Sequence, residues 1–272
     1  MNSDRTMTTA DQICEFLDGD AMSLAKAIAA LSAGSAVLIS VDAITSHDEW
    51  SALDAASKQT GASCCLANRD RYRPSSRLIY EQLKSQRLGE PGLIRLHAWS
   101  GTADFREHQR MKLRAIDVVL WLFGERPEIV QVSRCSLDRT NFTHNLGERT
   151  ETDNAGCACY ELIHMGFSGG RSAVLDISHA PSLQAGYWAL HVIGSRGAAY
   201  ADDETNVQLK LASGGVVGTW SDEMPTAWND CRRSFQRGLL QGNLFRETLD
   251  DWRQVLEWAS AGECASAEER HE

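Results

Sequence analysis

The stretch AMSLAKAIAALSAGSAVLISVDA, residues 21–43, decides the fold. Ser23 to Ala33 is rich in alanine, the strongest helix former, and predicts a helix. Gly34 ends it, because glycine takes the left-handed conformation that follows a helix terminus without steric cost. Ala36 to Ser40 (AVLIS) is a compact apolar run and predicts a buried strand. Upstream, Ile13 to Leu17 (ICEFL) predicts a short strand. Downstream, Ser46 followed three residues later by Glu49 has the spacing of a capping box, so a helix starts there and runs to about Thr60, stopping at Gly61. Ala62 to Ala67 is again strand-like. The first 70 or so residues therefore read β-α-β-α-β, a pattern that favours a parallel sheet with right-handed crossovers.

Beyond that point the texture changes. A helix is predicted from about Pro74 to Leu88, ending at Gly89 with Pro91 beyond it, then a strand over Leu93–Trp99. A second helix runs from about Arg110 to Phe123 and stops at Gly124. Strands follow at about 128–137, 157–168, 171–179, 187–193 and 207–211, with another near 216–220. Ser168-Gly169-Gly170 reads as a hairpin turn. Two helices, roughly 229–241 and 247–260, complete the pattern. Asp138 to Gly156 is polar and reads as a long loop. Runs of strands followed by helices imply a large, open, mostly antiparallel sheet with helices on one face. The fold class is thus α+β.

Composition limits the functions available. The 272 residues are 43% hydrophobic and 24% charged, enough apolar material for a sizeable core and too much for a disordered chain. No apolar run reaches the ~18 residues of a membrane span. The opening MNSDRTMTTADQ carries no apolar segment of a secretory signal, so the expected location is cytoplasmic. The eight cysteines are accordingly expected to be reduced thiols. The net charge of −10, with no basic run, repels phosphate backbones and argues against a nucleic acid partner.

The order of landmarks resembles the glucose-fructose oxidoreductase / inositol dehydrogenase / rhizopine-catabolism (Gfo/Idh/MocA) family. Residues 21–43 are similar to that family's "H-x-x-x-A-x-x-A-L-x-A-G-K-x-V-L-x-E-K-P" segment. NRDRYRP (68–74) is similar to "RY/RF-x-P", and LGEPGLIRLHA (88–98) to "G-x-I-G-x-I". LRAIDVVLWLFGERPEIVQV (113–132) resembles "H-x-x-D-L-x-x-W-L-x-G-x-P-x-x-V". LHVIGSRGAAYADD (190–203) resembles "I-x-G-x-x-G-x-L-x-x-D", and TLDDWRQVLEWASA (248–261) fits the last helix. The resemblance implies a Rossmann domain that binds NAD(P), here a remnant over residues 1–72, and an α+β domain for substrate and oligomerisation over 73–272.

The departures from the family pattern shape the expected function. There is no G-x-G-x-x-G in the chain, and the alignment places Ile13–Leu17 at the family's fourth Rossmann strand. The expectation is an N-terminally truncated relative without an ordinary dinucleotide site and with no predicted cofactor. The family's E-K-P positions are Ser40, Val41 and Asp42, so Val41 stands where the lysine would be. The substrate-site Asp and His of D-x-G-x-H-x-x-D are Arg110 and Arg114, and only Asp117 matches. Hydride transfer from an alcohol carbon needs a base for the hydroxyl proton. Arginine is always protonated and cannot serve. No catalytic residues are therefore expected.

Two groups remain as candidate ligand-binding residues. Arg110, Arg114, Asp117 and Trp121 share one helix face. That face either lines the old cleft, with the arginines binding a carboxylate or phosphate, or is a solvated face carrying an Arg114–Asp117 pair. Asn68, Arg71 and Tyr72 follow the last Rossmann-like strand at its carboxyl end, where ligands bind in such sheets. The alternative is that they fasten two domains together. Cys157 and Cys159 alternate along one strand, but His164 should face the other way, so no metal site is predicted. Cys64 and Cys65 are adjacent and point apart. His179 and His191 have no recognisable partner and read as structural, and the Asn141-Phe-Thr143 sequon reads as chance. Val174, Ile177, Trp188, Leu190, Val192 and Ile193 give the sheet apolar surface on both faces, so a homodimer or tetramer through the open face is expected. The functional expectation is a pseudo-enzyme that binds a sugar-like or anionic ligand, or partners an intact paralogue. The alternative is an NAD(P)-dependent oxidoreductase acting on a sugar-like CH–OH group, its site completed by upstream sequence or a partner chain.

Overall fold

The computed structural model describes residues 13–16, 21–101, 105–137, 158–179, 186–202, 207–211, 224–241 and 246–268. In chain order the elements are β1 (Ile13–Phe16), α1 (Ala21–Ser32), β2 (Ala36–Ser40), α2 (His47–Thr60), β3 (Cys64–Ala67), α3 (Pro74–Lys84) and β4 (Pro91–Ser100). Then come α4 (Phe105–Phe123), β5 (Ile129–Leu137), β6 (Ala158–Gly166), β7 (Ser172–His179), β8 (Tyr187–Gly194), β9 (Gly197–Asp202), β10 (Val207–Leu211), α5 (Met224–Leu240) and α6 (Arg246–Glu268). They form two compact units. One comprises residues 1–72 with 224–256, the other residues 73–223 with 257–272, so α6 is divided between them. Residues 224–256, which the sequence reading left in the second domain, pack with the first unit.

The first unit is built on a parallel sheet in the order β1-β2-β3. The predicted capping box of α2 is present: Ser46 Oγ accepts the Glu49 N–H at 3.3 Å and the Glu49 carboxylate accepts the Ser46 N–H at 3.0 Å. Gly61 ends the helix at φ 72°, in the left-handed region. Val37, Leu38 and Ile39 are buried in succession, as expected of a parallel strand covered on both faces. Cys231 and Phe235 of α5 pack with Leu38, Cys65 and Ala67. Two tryptophans tie α6 to the segment after β2. Trp252 Nε1 donates to the Ile44 carbonyl at 3.2 Å, and Trp50 Nε1 donates to the Leu249 carbonyl at 2.9 Å.

The second unit is a seven-stranded sheet in the order β10-β9-β8-β4-β7-β6-β5. Every neighbouring pair is antiparallel except β4 and β7. The expected β6–β7 hairpin turn is present over Ser168–Gly170, with Gly169 at φ 68°. Helix α4 lies on β4 and β7, over a face that buries Ile94, Leu96, Ile163, Leu175, Ile177 and Val192. The alternate residues Leu162, Asp176, His97 and Ala189 run across the other face in register. The α+β class, the parallel three-strand sheet and the mostly antiparallel sheet are thus as read from the sequence. Strand β9 was not read from it, and α4 and α5 start earlier than expected. The expected loop 138–156 and strand near 216–220 lie outside the described residues. Among the described residues, no helix is long and apolar enough to cross a membrane.

Candidate functional site

The candidate residues of the first unit follow β3 directly. A 3-10 turn over Arg69–Arg71 is capped by Asn68, whose side-chain oxygen accepts the Asp70 N–H at 3.0 Å. Asn68 is buried. Arg71 Nη1 lies 3.6 Å from the Asp251 carboxylate on α6. Tyr72 is packed beside Cys65 and Cys231, and burial raises its hydroxyl pKa well above the ordinary value. Burial also pushes the Cys231 and Cys64 thiols up to about 12. These thiols stay protonated at neutral pH, so they are packing groups and not nucleophiles. Asn68, Arg71 and Tyr72 therefore share one turn that is pinned to α5 and α6. Val41, at the position the family resemblance assigns to lysine, is a buried hydrocarbon in the 3-10 turn Val41–Ala43.

Arg110, Arg114 and Asp117 lie in the second unit, on α4. Glu107 gathers both arginines: its Oε1 is 3.0 Å from Arg114 Nη2 and its Oε2 is 3.7 Å from Arg110 Nη1. Arg114 and Asp117 are only 4% and 2% exposed, so the solvated-face reading does not hold. The helix is buried all round from Met111 to Val119, which its i, i+4 pattern alone does not announce. Trp121 stacks on Tyr80 of α3, ring centroids 4.2 Å apart.

Beside these lies a buried polar cluster that sequence reasoning missed. Glu161 of β6 is 2% exposed. Its Oε1 faces Lys112 Nζ of α4 at 3.6 Å and Arg134 Nη2 of β5 at 3.2 Å. Its Oε2 faces His108 Nε2 at 2.9 Å. Burial alone would raise the Glu161 pKa, but the His108 hydrogen bond and the two cations outweigh it and lower it to about 2. Cys159 Sγ is 4.0 Å from His108 Nε2, and the His108 and His179 rings meet edge to face at 5.0 Å between centroids. As expected, His164 falls on the opposite face of β6, exposed. Cys157 lies outside the described residues. The signal for this cluster is the β6–β7 register, which no sequence motif carries.

The other face of the sheet carries polar and aromatic groups in the middle of its width. His97 Nδ1 is 3.2 Å from Asp176 Oδ2, and Ser178 Oγ donates to Asp176 Oδ1 at 2.9 Å. The His97 hydrogen bond, with help from Ser178 and Trp99, holds the Asp176 carboxyl below its ordinary pKa despite partial burial. Burial and the neighbouring His97 lower the pKa of His191, whose ring is 5.8 Å from that of His97.

Comparison with known proteins places the fold. No protein-family model matches the sequence, and a search of curated proteins returns no match. Solved structures do match over most of the chain. A dehydrogenase from Chromobacterium violaceum is similar with a TM-score of 0.70 at 15% identity, over 95% of this chain and 79% of that one. UDP-N-acetylglucosamine 3-dehydrogenase from Acidithiobacillus ferrooxidans is similar with a TM-score of 0.68 at 15% identity, over 95% of this chain and 81% of that one. An oxidoreductase domain protein from Kribbella flavida is similar with a TM-score of 0.68 at 16% identity, over 93% and 79%. The fold is like that of these dehydrogenases and oxidoreductases, and at these identities the likeness is one of fold alone.

Proposed function

We propose that this chain is a non-catalytic relative of the Gfo/Idh/MocA oxidoreductases that binds a sugar-like or anionic ligand and assembles through its sheet. The observation that supports it most is the pair of guanidiniums on α4. Arg110 and Arg114 stand at the two positions where the family resemblance puts an acid–base pair, and both are drawn to Glu107. A guanidinium cannot accept the hydroxyl proton of an alcohol at any working pH. It is well suited to hold a carboxylate or phosphate with two parallel hydrogen bonds. Val41 adds to this reading, since a buried isopropyl group neither donates a proton nor carries charge.

Equilibrium titration of the purified full chain with NADH and NADPH, followed by nicotinamide fluorescence, tests the reading. The expected result is no saturable binding up to about 1 mM, an affinity of only ~4 kcal/mol. Micromolar binding overturns it and favours a working dehydrogenase whose cofactor site is completed by a partner chain.

The assembly reading rests on the apolar residues of the face opposite α4. Leu162 and Ile193 are 48% and 39% exposed, and Ile129 and Tyr160 extend the same face. Apolar surface of this kind favours burial against a second copy. Light scattering behind size exclusion is expected to give a dimer or larger. The double variant Leu162→Asp/Ile193→Asp is expected to shift the mass to that of a monomer. A wild-type chain that is monomeric at tens of micromolar, on the order of the affinity of a weak dimer, removes the assembly reading.

A further inference from the structure

We infer that His108, Cys159 and His179 form a buried site for a thiophilic divalent cation of the zinc type. The site arises from the ladder between β6 and β7. Cys159 and His179 are direct partners in that register. Directly opposed residues of an antiparallel pair project to the same face, with Cβ atoms ~4.5–5.5 Å apart. Helix α4 lies over that face and sets His108 above the pair. One donor atom from each of the three residues falls within 4.8 Å of the others. All three residues are buried.

The donor set selects the ion. One thiol and two imidazoles are borderline-soft ligands, which suit Zn²⁺, Co²⁺ or Ni²⁺ and not Mg²⁺ or Ca²⁺. A tetrahedral zinc with bonds of ~2.3 Å to sulfur and ~2.0 Å to nitrogen needs donors about 3.5 Å apart. The present Cys159–His108 separation of 4.0 Å is thus about half an ångström too open, a gap that small side-chain rotations close. Glu161 lies two residues from Cys159 on the same face of β6 and receives His108 Nε2 at 2.9 Å. Nε2 is also the nitrogen that faces Cys159, so an ion bound there displaces this hydrogen bond and keeps the carboxylate beside it. The two cations, Lys112 and Arg134, sit on the other carboxylate oxygen. Binding replaces the thiol proton with the metal, and three protein ligands leave a fourth position for water or a small anion.

The test uses the full chain, stripped with EDTA, dialysed, and reloaded with Zn²⁺ or Co²⁺ alone. The expected result is roughly one ion per chain by elemental analysis. The Co²⁺ form should show tetrahedral d–d bands and a thiolate-to-cobalt charge-transfer band. Cys159→Ser should abolish the charge-transfer band, and His179→Gln should weaken binding at least ~10-fold, with unchanged circular dichroism in both. If Cys159→Ser fails to fold, the wild-type cobalt spectrum and His179→Gln decide. Failure of the wild-type chain to retain either ion overturns the inference. So does a retained ion whose spectrum lacks thiolate character, or one whose affinity His179→Gln leaves unchanged.

Discussion

Glu161→Gln is expected to lower the stability of the chain by about 3–5 kcal/mol, measured by urea denaturation at pH 7 in EDTA. The magnitude comes from what the substitution leaves behind. The ammonium of Lys112 is 1% exposed and faces the Glu161 carboxylate at 3.6 Å, with Arg134 on the same oxygen. An amide of the same shape keeps the packing but removes the anion, so the buried Lys112 loses the carboxylate that faces it at 3.6 Å. Replacing one partner of a buried pair costs far more than the pair itself contributes. The pH dependence supplies a second readout with a definite sign. The folded-state pKa of Glu161 lies near 2, below its ordinary value of 4.5. The charged carboxylate therefore favours the folded state by about 3 kcal/mol at neutral pH. That contribution is complete above about pH 5 and is lost as the pH falls through 4.5 toward 2. In the Gln variant the stability profile over that acid range should be correspondingly flatter. An equal acid slope in both proteins would show that other carboxylates dominate acid unfolding.

Trp252→Ala is expected to cost a similar ~3–5 kcal/mol, through a different mechanism. Trp252 is 1% exposed and is the largest side chain fully buried in the described residues. Its removal opens a cavity at α6 and leaves the Ile44 carbonyl without the indole N–H that reaches it at 3.2 Å. Trp252→Phe separates the two terms. It retains most of the apolar contact and loses the hydrogen bond, so a smaller loss, about 1–2 kcal/mol, is expected. A Phe variant as unstable as the Ala variant would mean that the hydrogen bond outweighs the packing. Urea midpoints for the three proteins decide between them.

The first unit was largely legible in the sequence because its signals are local. The Ser46–Glu49 capping box, the stop at Gly61 and the apolar run 36–40 each act within a few residues, and each appears where expected. Strand β9 was not legible. Its sequence, GAAYAD, has no β-branched residue, and it is a strand because β8 and β10 pair with it on either side. The burial of Arg114 and Asp117 was likewise hidden, since polar residues at helical spacing usually mark a solvated face and tertiary packing overrides that expectation. The return of residues 224–256 to the first unit depends on contacts such as Leu66 N–H to Thr248 Oγ1, across 182 residues of chain. The buried cluster was hidden for a related reason. His108 and Cys159 are 51 residues apart, and only the β6–β7 register with α4 above it brings them to His179. Each histidine alone looks like any core histidine.

The position of β4 has a consequence for how the chain is made. β4 lies between β7 and β8, and the first of these begins at Ser172, about 70 residues after β4 ends at Ser100. On a ribosome, β4 therefore emerges with both its edges vacant and stays so while α4, β5 and β6 are synthesised. The β5–β6 and β6–β7 ladders join neighbours in the chain, and each can zip as soon as its second strand appears. The parallel β4–β7 pair cannot, because it must close a long loop before any of its hydrogen bonds form. Leu93, Ile94 and Leu96 thus present an unpaired apolar strand during that interval, the kind of segment on which holding chaperones act and from which aggregation starts. Closure of the sheet around β4 is the natural late step of folding, and synthesis rate and chaperone supply should govern the yield of native protein.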